Sequence, residues 1–534
     1  MVSAADPRAA EAGVEMLRAG GNAVDAAVAT MLALNVVEPQ SSGIGGGGYL
    51  LFSDPDGPTL TYDGREVAPM AATGTWFFKD GQPMSFDDAQ PGGKSVGVPG
   101  NLRMAALAHR EHGKLPWAKL FEPAIRLARD GFRITQRLHN SLNENKVEGA
   151  FSAEARALFY DAEGRALPVG TLVRNPAFAA LLERLAGQGA DAFYAGPNAQ
   201  AIAAAVSGAS HNPAPMTPGD IAAYDAKPRP PVCGLYRGYR ICGMGPSSSG
   251  GTTVFAILKQ LERFDLSKLG PRSPVAWHLI AESERLAYAD RDSFLADPEF
   301  VPVPVAGLVD PGYLAGRSAL IAPDHVLKEV RAGTPPGATI TVCPRVTVPE
   351  RGTSHFVVAD RWGNVVSETS TIESAFGSGL MVNGYYLNNE LTDFSFSPTK
   401  FDCPVANRVE GGKRPRSSMS PTIVYGPDGR VSLGVGGAGG ATIPAQVAKI
   451  IIGVIDWKLG AQEAVALPML YSPGDTVYLE RGTWLAGFAP QLQAMGHNVE
   501  FQSSGTYKAN AIEWVDGRWA GAADPRSEGA AVSQ

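Results

Sequence analysis

The chain has 534 residues, enough for a large hydrophobic core and for more than one domain. Hydrophobic residues make up 44% and charged residues 19%, which is typical of a compact globular protein and argues against a disordered or fibrous one. The net charge of −7 gives no broad positive surface, so we expect neither nucleic acid nor an anionic membrane surface as a partner.

The first six residues contain neither the basic nor the apolar segment of a secretory signal, and no apolar run is long enough to span a membrane. As written, the sequence predicts a cytoplasmic protein; a periplasmic or secreted protein is the alternative if a signal was removed. Cys233, Cys242, Cys343 and Cys403 lack both zinc-site spacing and the density of a disulfide scaffold. We interpret them as packing residues, and we expect no metal and no cofactor.

The N-terminal part is predicted to begin with two helices. Asp6-Pro7 is a helix-start signal, and apolar residues then recur at helical spacing until Gly20-Gly21. A second helix follows Asn22 and is apolar on most faces up to Glu38-Pro39, so we expect it to be buried between layers. Further helices are predicted over 102–112, 117–130, 177–185 and 277–294.

The glycine run at 43–48 formally satisfies the G-x-G-x-x-G pattern of dinucleotide-binding proteins. It follows a helix and leads into a strand-like segment at 49–52, whereas dinucleotide binding needs the order strand, loop, helix. A dinucleotide-dependent oxidoreductase is therefore the weakest functional alternative. Close packing of backbone segments explains the glycines better.

A β-hairpin is predicted after a Pro-, Gly- and Thr-rich connection at 331–352, which reads as exposed, strained or cleavable. Its strands cover 354–359 and 365–371, with a turn between them. If pairing is symmetric about Trp362, facing residue numbers sum to 724, and Thr371 lies opposite Thr353 with Cβ atoms about 5 Å apart. The two hydroxyls could then touch, while His355 points to the opposite face as a packing residue.

A threonine at the start of a strand is ordinarily only a β-former, so its context decides its meaning. If the chain is cut before Thr353, the new α-amine, with a pKa of about 7.7–8.0, can accept the proton of the same residue's hydroxyl. No histidine or metal is then needed. This matters because the eight histidines form no convincing triad, and neither a G-x-S-x-G nor an H-E-x-x-H motif occurs.

Several long motifs together resemble the γ-glutamyltransferase family, and the resemblance covers nearly the whole chain. They occur in order at 20–27, 43–48, 64–69, 246–251, 352–356, 360–376, 387–395 and 413–422. The resemblance implies an α+β fold of the N-terminal-nucleophile hydrolases, with four αββα layers in which helices flank two stacked antiparallel sheets. It also implies a large segment, 1–352, and a small one, 353–534, that form one intertwined domain and, after cleavage, a heterodimer.

By the same resemblance, Thr353 first attacks the carbonyl before it and cuts the Gly352–Thr353 bond. It then attacks a small-molecule amide, and the acyl-enzyme is released by water or by an amino acid or peptide acceptor. Thr371 matches the family's supporting threonine. The matched substrate-binding positions are Arg65, Ser417 and Ser418 for a carboxylate, and Glu390 and Asp393 for an ammonium group.

Two further features bear on the chemistry. Gly439 and Gly440 precede a helical stretch at 443–457, where backbone N–H groups could stabilise an oxyanion. Glu373 stands where the well-known transpeptidases carry Asn, and its additional carboxylate could pair with the ammonium group or mark another acyl group.

Three functions remain open on the sequence. The first is a γ-glutamyl hydrolase or transpeptidase that acts on glutathione-like amides. The second keeps the same chemistry for a cephalosporin or glutaryl acylase, a poly-γ-glutamate enzyme or a pathway-specific amidohydrolase. The third is a non-catalytic or unprocessed binding protein. The acidic residues Glu373, Glu390 and Asp393 favour an ammonium group beside the carboxylate, and therefore the first function.

Overall fold

Two antiparallel sheets form the centre of the computed structural model, which describes residues 1–339, 352–503 and 507–534. The first sheet has, in spatial order, strands Ala530–Val532, Val2–Ala4, Ser354–Ala359, Val365–Thr371, Gly47–Ser53, Thr59–Asp63 and Lys227–Arg229. The second has strands Arg518–Ala523, Lys508–Val515, Val431–Ala438, Thr422–Tyr425, Tyr239–Gly243 and Val232–Tyr236. All neighbouring strands in these two sheets are antiparallel.

The first sheet is buried on both faces, and strand Ser354–Ala359 shows how its residues divide. Phe356 and Val358 belong to a core shared with the N-terminal helices. Val357 and Ala359, which alternate with them, belong to a second core that includes the inner face of the second sheet. Successive strand residues point to opposite faces of a sheet. Because both faces of this sheet are buried, its central strands are apolar at consecutive positions and do not alternate with polar residues.

A helical layer covers the outer face of each sheet. On the first sheet lie helices Pro7–Arg18, Ala23–Val37 and Asn101–His112, and Glu122–Asp130 and Pro176–Gln188 pack in turn against these helices and each other. On the second lie Gly250–Leu261 and Ile443–Ile455, with Pro274–Phe294 packed against Gly250–Leu261. The predicted α+β fold with four αββα layers is confirmed.

Smaller elements surround these layers. The other α-helices are Phe86–Ala89, Gln136–Glu144, Lys146–Gly149, Ala153–Phe159, Asp191–Tyr194, Gly196–Ser207, Pro218–Ala222, Leu266–Leu269, Val305–Leu308, Pro311–Ser318, Ala461–Ala466 and Ala489–Ala494. Short strands pair as Phe78–Lys79 with Gln82–Pro83, Phe132–Arg133 with Leu172–Val173, Met381–Val382 with Tyr385–Tyr386, and Thr399–Lys400 with Cys403–Pro404. Strands Leu470–Tyr471, Thr476–Glu480 and Asn498–Gln502 form a small third sheet.

The two predicted N-terminal helices are confirmed with their capping signals. Asp6 caps the first helix, and its side chain accepts a hydrogen bond from the N–H of Arg8. Asn22 begins the second helix in a capping box with Asp25, and all fifteen residues of that helix are buried. The interpretation of the glycine run also holds, because a Cβ atom at Gly46 would overlap the carbonyl oxygen of Thr371.

The predicted helix at 117–130 is divided in the structure. Trp117–Phe121 forms a 3-10 turn, and the α-helix begins at Glu122, with Pro123 in its first turn. Proline favours the start of an α-helix because its missing N–H group would be unsatisfied there anyway. The other three predicted helices are confirmed, each longer than predicted by one to four residues in total.

Both segments of the chain contribute strands to both central sheets. In the second sheet, Val232–Tyr236 and Tyr239–Gly243 come from the first 352 residues, whereas its other four strands follow Thr353. In the first sheet, strands from the two segments lie side by side. A cut between residues 352 and 353 would therefore divide the chain without dividing the folded body.

The interpretation of the cysteines as packing residues was wrong. Cys233 and Cys242 face each other in an antiparallel hairpin and form a disulfide. Cys403 is also disulfide-bonded, and Cys343 lies outside the described residues. The tight turn at Arg237-Gly238 pairs residues whose numbers sum to 475, so hairpin arithmetic could have predicted the first disulfide from the sequence.

Candidate active site

Thr353 and Thr371 meet at one end of the predicted hairpin. The pairing of Ser354 with Ser370 and of Ala359 with Val365 confirms the predicted register. The hydroxyl of Thr353 donates to Thr371 Oγ1 at 3.2 Å, and the N–H of Glu373 donates to the same oxygen at 2.8 Å. Thr371 therefore holds the hydroxyl of Thr353 in a defined, buried position.

The backbone before Thr353 is strained. Gly352 has φ +87° and Thr353 has φ +93°, in a region that a β-branched residue rarely adopts. A Cβ atom at position 352 would overlap the carbonyl oxygen of Glu373. Glycine is therefore required at position 352, and the strain lies at the peptide bond that the sequence predicts to be cut.

The other predicted site residues converge on these threonines. A small cavity of about 10 Å³ is lined by Arg65, Thr353, Thr371, Glu373, Glu390, Asp393, Ser417, Ser418, Met419, Gly440 and Ile443. This volume holds little more than a water molecule, so a γ-glutamyl group does not fit into the uncut chain as it stands. Gly352 and Gly439 do not line the cavity but are bonded to residues that do.

Arg65 lines the cavity and is 1% exposed. Its guanidinium forms ion pairs with Glu390 and Asp393, and it also donates to the carbonyl oxygens of Pro415 and Arg416 at 3.1 and 3.0 Å. Burial lowers the pKa of Arg65, but the two carboxylates outweigh burial and hold this pKa well above its ordinary value. The predicted carboxylate clamp is thus charged and already engaged by carboxylates of the protein.

Glu66, which the sequence analysis missed, lies beside Glu390. Both carboxyl oxygens of Glu66 are buried, and neither has a hydrogen-bond partner among the described residues. Burial raises the pKa of both carboxyl groups, while Arg65 opposes the rise. Burial raises the pKa of Glu66 to about 8, so the protonated form of this carboxyl group is favoured at neutral pH. The position of Glu66 directly after Arg65 in the chain was the signal that could have pointed to it.

Glu373 is 2% exposed and has φ +72°. Its carboxylate accepts hydrogen bonds from Asn389 at 2.8 Å and from the hydroxyl of Ser374. Hydrogen bonds of this kind stabilise a charged carboxylate inside a protein. Glu373 therefore brings a further carboxylate to a cavity already lined by Glu390 and Asp393.

Gly439 and Gly440 lie where strand Val431–Ala438 ends and a helix begins. Gly440 starts a 3-10 turn that continues into helix Ile443–Ile455, and Gly440 also lines the cavity with Thr353. Both glycines have positive φ, at +129° and +58°. The predicted placement of these glycines at the start of a helix agrees with the structure, and their role as an oxyanion hole stays a prediction.

His355 is buried on the other face of the strand, as predicted. Its Nδ1 is 2.9 Å from the hydroxyl of Thr369, and burial lowers its pKa to about 3. Across the described ranges, no group of three or more His, Cys, Asp or Glu side chains is placed to hold a metal ion. In those same ranges, no helix has the length and apolar composition that crossing a membrane requires.

Two stacked antiparallel sheets between helical layers, with a threonine hydroxyl at the head of an inner strand, define the class of N-terminal-nucleophile hydrolases. Comparison with known proteins specifies the family. A family model described as gamma-glutamyltranspeptidase matches residues 9–534. The chain belongs to the γ-glutamyltranspeptidase family, and it is an enzyme of the hydrolase type found there.

Individual relatives include both hydrolases and acylases. A glutathione hydrolase proenzyme of Bacillus subtilis (strain 168) is 38% identical, over 100% of this chain and 91% of the relative. The acylase ACY 1 proenzyme of Pseudomonas sp. (strain SE83) is 35% identical, over 100% and 93%. The crystal structure of cephalosporin acylase from Bacillus halodurans matches with a TM-score of 0.88 and 27% identity, over 99% and 94% of the two chains.

Proposed function

We propose that the chain is a self-processing γ-glutamyl amide hydrolase or transpeptidase with Thr353 as its nucleophile. The observation that carries this proposal is the hydroxyl of Thr353, held 3.2 Å from Thr371 Oγ1 beside a cavity with one arginine and several carboxylates. Glutathione-like amides, whose γ-glutamyl group carries a carboxylate and an ammonium group on the α-carbon at the end away from the amide, are the substrates that such a cavity suits.

The first step is cleavage of the chain itself. The hydroxyl oxygen of Thr353 attacks the carbonyl carbon of Gly352, the C–N bond between the residues breaks, and the nitrogen takes up a proton. Water then hydrolyses the resulting ester and leaves a carboxylate on Gly352 and a free α-amine on Thr353. The positive φ angle at Thr353 supports this step, because a cut before this β-branched residue releases its backbone from a strained conformation.

The second step uses the new N-terminus. The α-amine of Thr353 accepts the hydroxyl proton while the hydroxyl oxygen attacks the γ-carbonyl of the substrate. The leaving amine takes up a proton, and a γ-glutamyl ester on Thr353 remains. Water releases glutamate from this ester, or an amino acid or peptide acceptor takes the acyl group. Segments 1–352 and 353–534 form the working heterodimer.

The charges around the cavity support a zwitterionic acyl group. Arg65 with Ser417 and Ser418 suits the α-carboxylate, and Glu390 and Asp393, with Glu373 as a further carboxylate, suit the α-ammonium group. Because Arg65 is paired with carboxylates of the protein in the uncut chain, a bound substrate has to exchange with them. A substrate with both a carboxylate and an ammonium group can pair with Arg65 through the first and with the displaced carboxylates of the protein through the second.

A cephalosporin or glutaryl acylase is the second candidate, since relatives of this chain carry acylase names. A glutaryl group has the carboxylate but no ammonium group. It would draw Arg65 away from Asp393 without offering a cation in exchange, and breaking a buried ion pair in this way is costly. The acidic residues therefore favour the γ-glutamyl group. Poly-γ-glutamate and pathway-specific amides remain variants of the same chemistry.

We expect the processed enzyme to hydrolyse γ-glutamyl-p-nitroanilide with a kcat/KM about 10²-fold or more above that for glutaryl-p-nitroanilide. A site built to bind a polar substrate group rejects an analogue that lacks it by a large factor. Release of p-nitroaniline measures both reactions with the same leaving group. Preference for the glutaryl compound would favour the acylase, and inactivity of fully processed protein on both would contradict the proposed function.

We infer that the chain folds in an oxidising compartment, the periplasmic or secreted alternative of the sequence analysis. Stable disulfides are rare in the cytosol, and Cys233, Cys242 and Cys403 are disulfide-bonded. Protein extracted from its natural host with an alkylating agent and no reductant should carry no label on Cys233 or Cys242. Labelling of both thiols would instead support the cytoplasmic location.

A further inference from the structure

Arg291 lies behind Ser418 and has no part in the chemistry proposed above. It belongs to the last turn of helix Pro274–Phe294, and its side chain is 3% exposed. Its Nη2 donates to the hydroxyl oxygen of Ser418, its Nε donates to Ser249 Oγ at 2.9 Å, and its Nη1 donates to Asp292 at 2.9 Å. A buried guanidinium is thus fixed directly against one wall of the cavity.

The bond from Arg291 determines the direction of the Ser418 hydroxyl. A guanidinium can only donate, so the oxygen of Ser418 accepts and its own hydrogen must point elsewhere. Among residues 1–339, 352–503 and 507–534, no acceptor takes that hydrogen, and Ser418 lines the cavity beside Thr353. The hydroxyl of Ser418 is therefore available as a donor to a ligand in the cavity.

The hydroxyl of Ser417 is likewise available as a donor to the cavity. Its hydroxyl oxygen accepts the N–H of Met419 at 3.1 Å, so its hydrogen is also available to the cavity. Its carbonyl oxygen accepts the hydroxyl of Ser249 at 2.6 Å, and Arg291 donates to that same hydroxyl. Arg291 thus holds Ser418 through its side chain and Ser417 through Ser249.

The segment at 247–249 completes this support. The N–H of Ser249 donates to the carbonyl oxygen of Ser417 at 2.8 Å, and the N–H of Ser417 donates to the carbonyl oxygen of Ser247 at 3.1 Å. Two backbone segments are therefore paired, with Arg291 bonded to a side chain of each. A site whose donors are locked in this way binds an anionic group with little loss of conformational entropy.

We propose that Arg291 is a positioning residue for the carboxylate of the acyl donor, acting through Ser418 and, by way of Ser249, through Ser417. The inference rests on the proposed function and deepens it. Arg291 does not touch the substrate; it makes the two serine hydroxyls donors toward the cavity. The ligand chemistry this arrangement suits is a carboxylate, whose two oxygens each accept one of these hydrogens.

The test is a double-mutant cycle on processed enzyme with γ-glutamyl-p-nitroanilide as the substrate. Arg291→Gln and Ser418→Ala are each expected to lower kcat/KM about tenfold, mainly through KM, since a charge-assisted hydrogen bond away from the reacting carbonyl is lost. The double variant is expected to be within about twofold of the worse single variant, because both changes remove the same interaction.

Arg285→Gln is the matched control. Arg285 lies in the same helix, is 4% exposed and bonds to Glu282 and to the carbonyl oxygen of Gly474, away from the serines. We expect this variant to lose thermal stability while its KM stays within about twofold of wild type. A KM effect of Arg285→Gln as large as that of Arg291→Gln would reduce Arg291 to a structural residue and overturn the proposal.

Other outcomes are equally decisive. Independent, additive losses in the double variant, or an unchanged KM in Arg291→Gln, would overturn the inference while the proposed function stands. Wild-type protein that splits but does not hydrolyse the γ-glutamyl substrate would overturn both.

If Arg291→Gln yields no two-chain protein, Ser249→Ala takes its place in the cycle. That variant is expected to raise KM about threefold, and additivity with Ser418→Ala would again contradict the proposal.

Discussion

Thr353→Ala is expected to remain a single chain and to lose γ-glutamyl amide hydrolysis by at least about 10⁴-fold, the scale seen when an enzyme loses its nucleophile. Alanine has no oxygen to attack the carbonyl of Gly352 or of a substrate, and an uncut chain has no α-amine at this position. Mass spectrometry of denatured wild-type protein should show fragments 1–352 and 353–534, whose masses together exceed that of the uncut chain by one water.

Thr353→Ser is the matched control, because it keeps the hydroxyl and removes one methyl group. It is expected to split at the same bond and to retain measurable hydrolysis. Cleavage of Thr353→Ala at residues 352 and 353, or substantial activity of that variant, would show that another group is the nucleophile. Wild-type protein that stays whole while folded would instead favour the binding-protein alternative.

Arg65→Met is expected to lower kcat/KM for γ-glutamyl-p-nitroanilide about 10³-fold. Two charge-assisted hydrogen bonds to a carboxylate contribute about 1.5–3 kcal/mol each, and each 1.4 kcal/mol is about tenfold in affinity or rate. The change also removes the cation that Glu390 and Asp393 contact, so we expect the free energy of unfolding to fall by about 3–5 kcal/mol. Steady-state kinetics and thermal unfolding measure the two effects separately.

Arg526→Met separates loss of recognition from loss of stability. Arg526 is also largely buried, and it pairs with Asp524 and Glu480 away from the cavity. This variant is expected to unfold at a lower temperature while kcat/KM stays within about threefold of wild type. If Arg65→Met loses no more activity than Arg526→Met, Arg65 is a structural ion-pair residue and another group binds the carboxylate.

The hairpin before and after Trp362 shows which features of the fold can be predicted from sequence. Its strand limits at 354–359 and 365–371 and its register agree with the structure. Pairing between consecutive strands depends on a short turn and on alternation of side chains, both of which are local properties of the sequence. The contact between Thr353 and Thr371 followed from the same arithmetic.

The disulfide between Cys233 and Cys242 was equally local but was missed. The spacing of the four cysteines fits neither a zinc site nor a disulfide scaffold, and only the register of the hairpin brings these two face to face. Ion pairs between residues far apart in the chain, by contrast, could not be predicted from local patterns. Arg65 precedes Glu390 by 325 residues, and nothing in the sequence indicates that its guanidinium is paired with this carboxylate in the uncut chain.

By itself, the sequence determined the Thr353 hairpin and, through long motifs that resemble a known family, the layered fold and most of the residues around Thr353. The tertiary structure decided how those residues are partnered: Arg65 with Glu390 and Asp393, and Arg291 with Ser418. The physical reason is desolvation. Local patterns set strands and registers, whereas a buried charge must be paired with whichever groups the packed layers bring within reach.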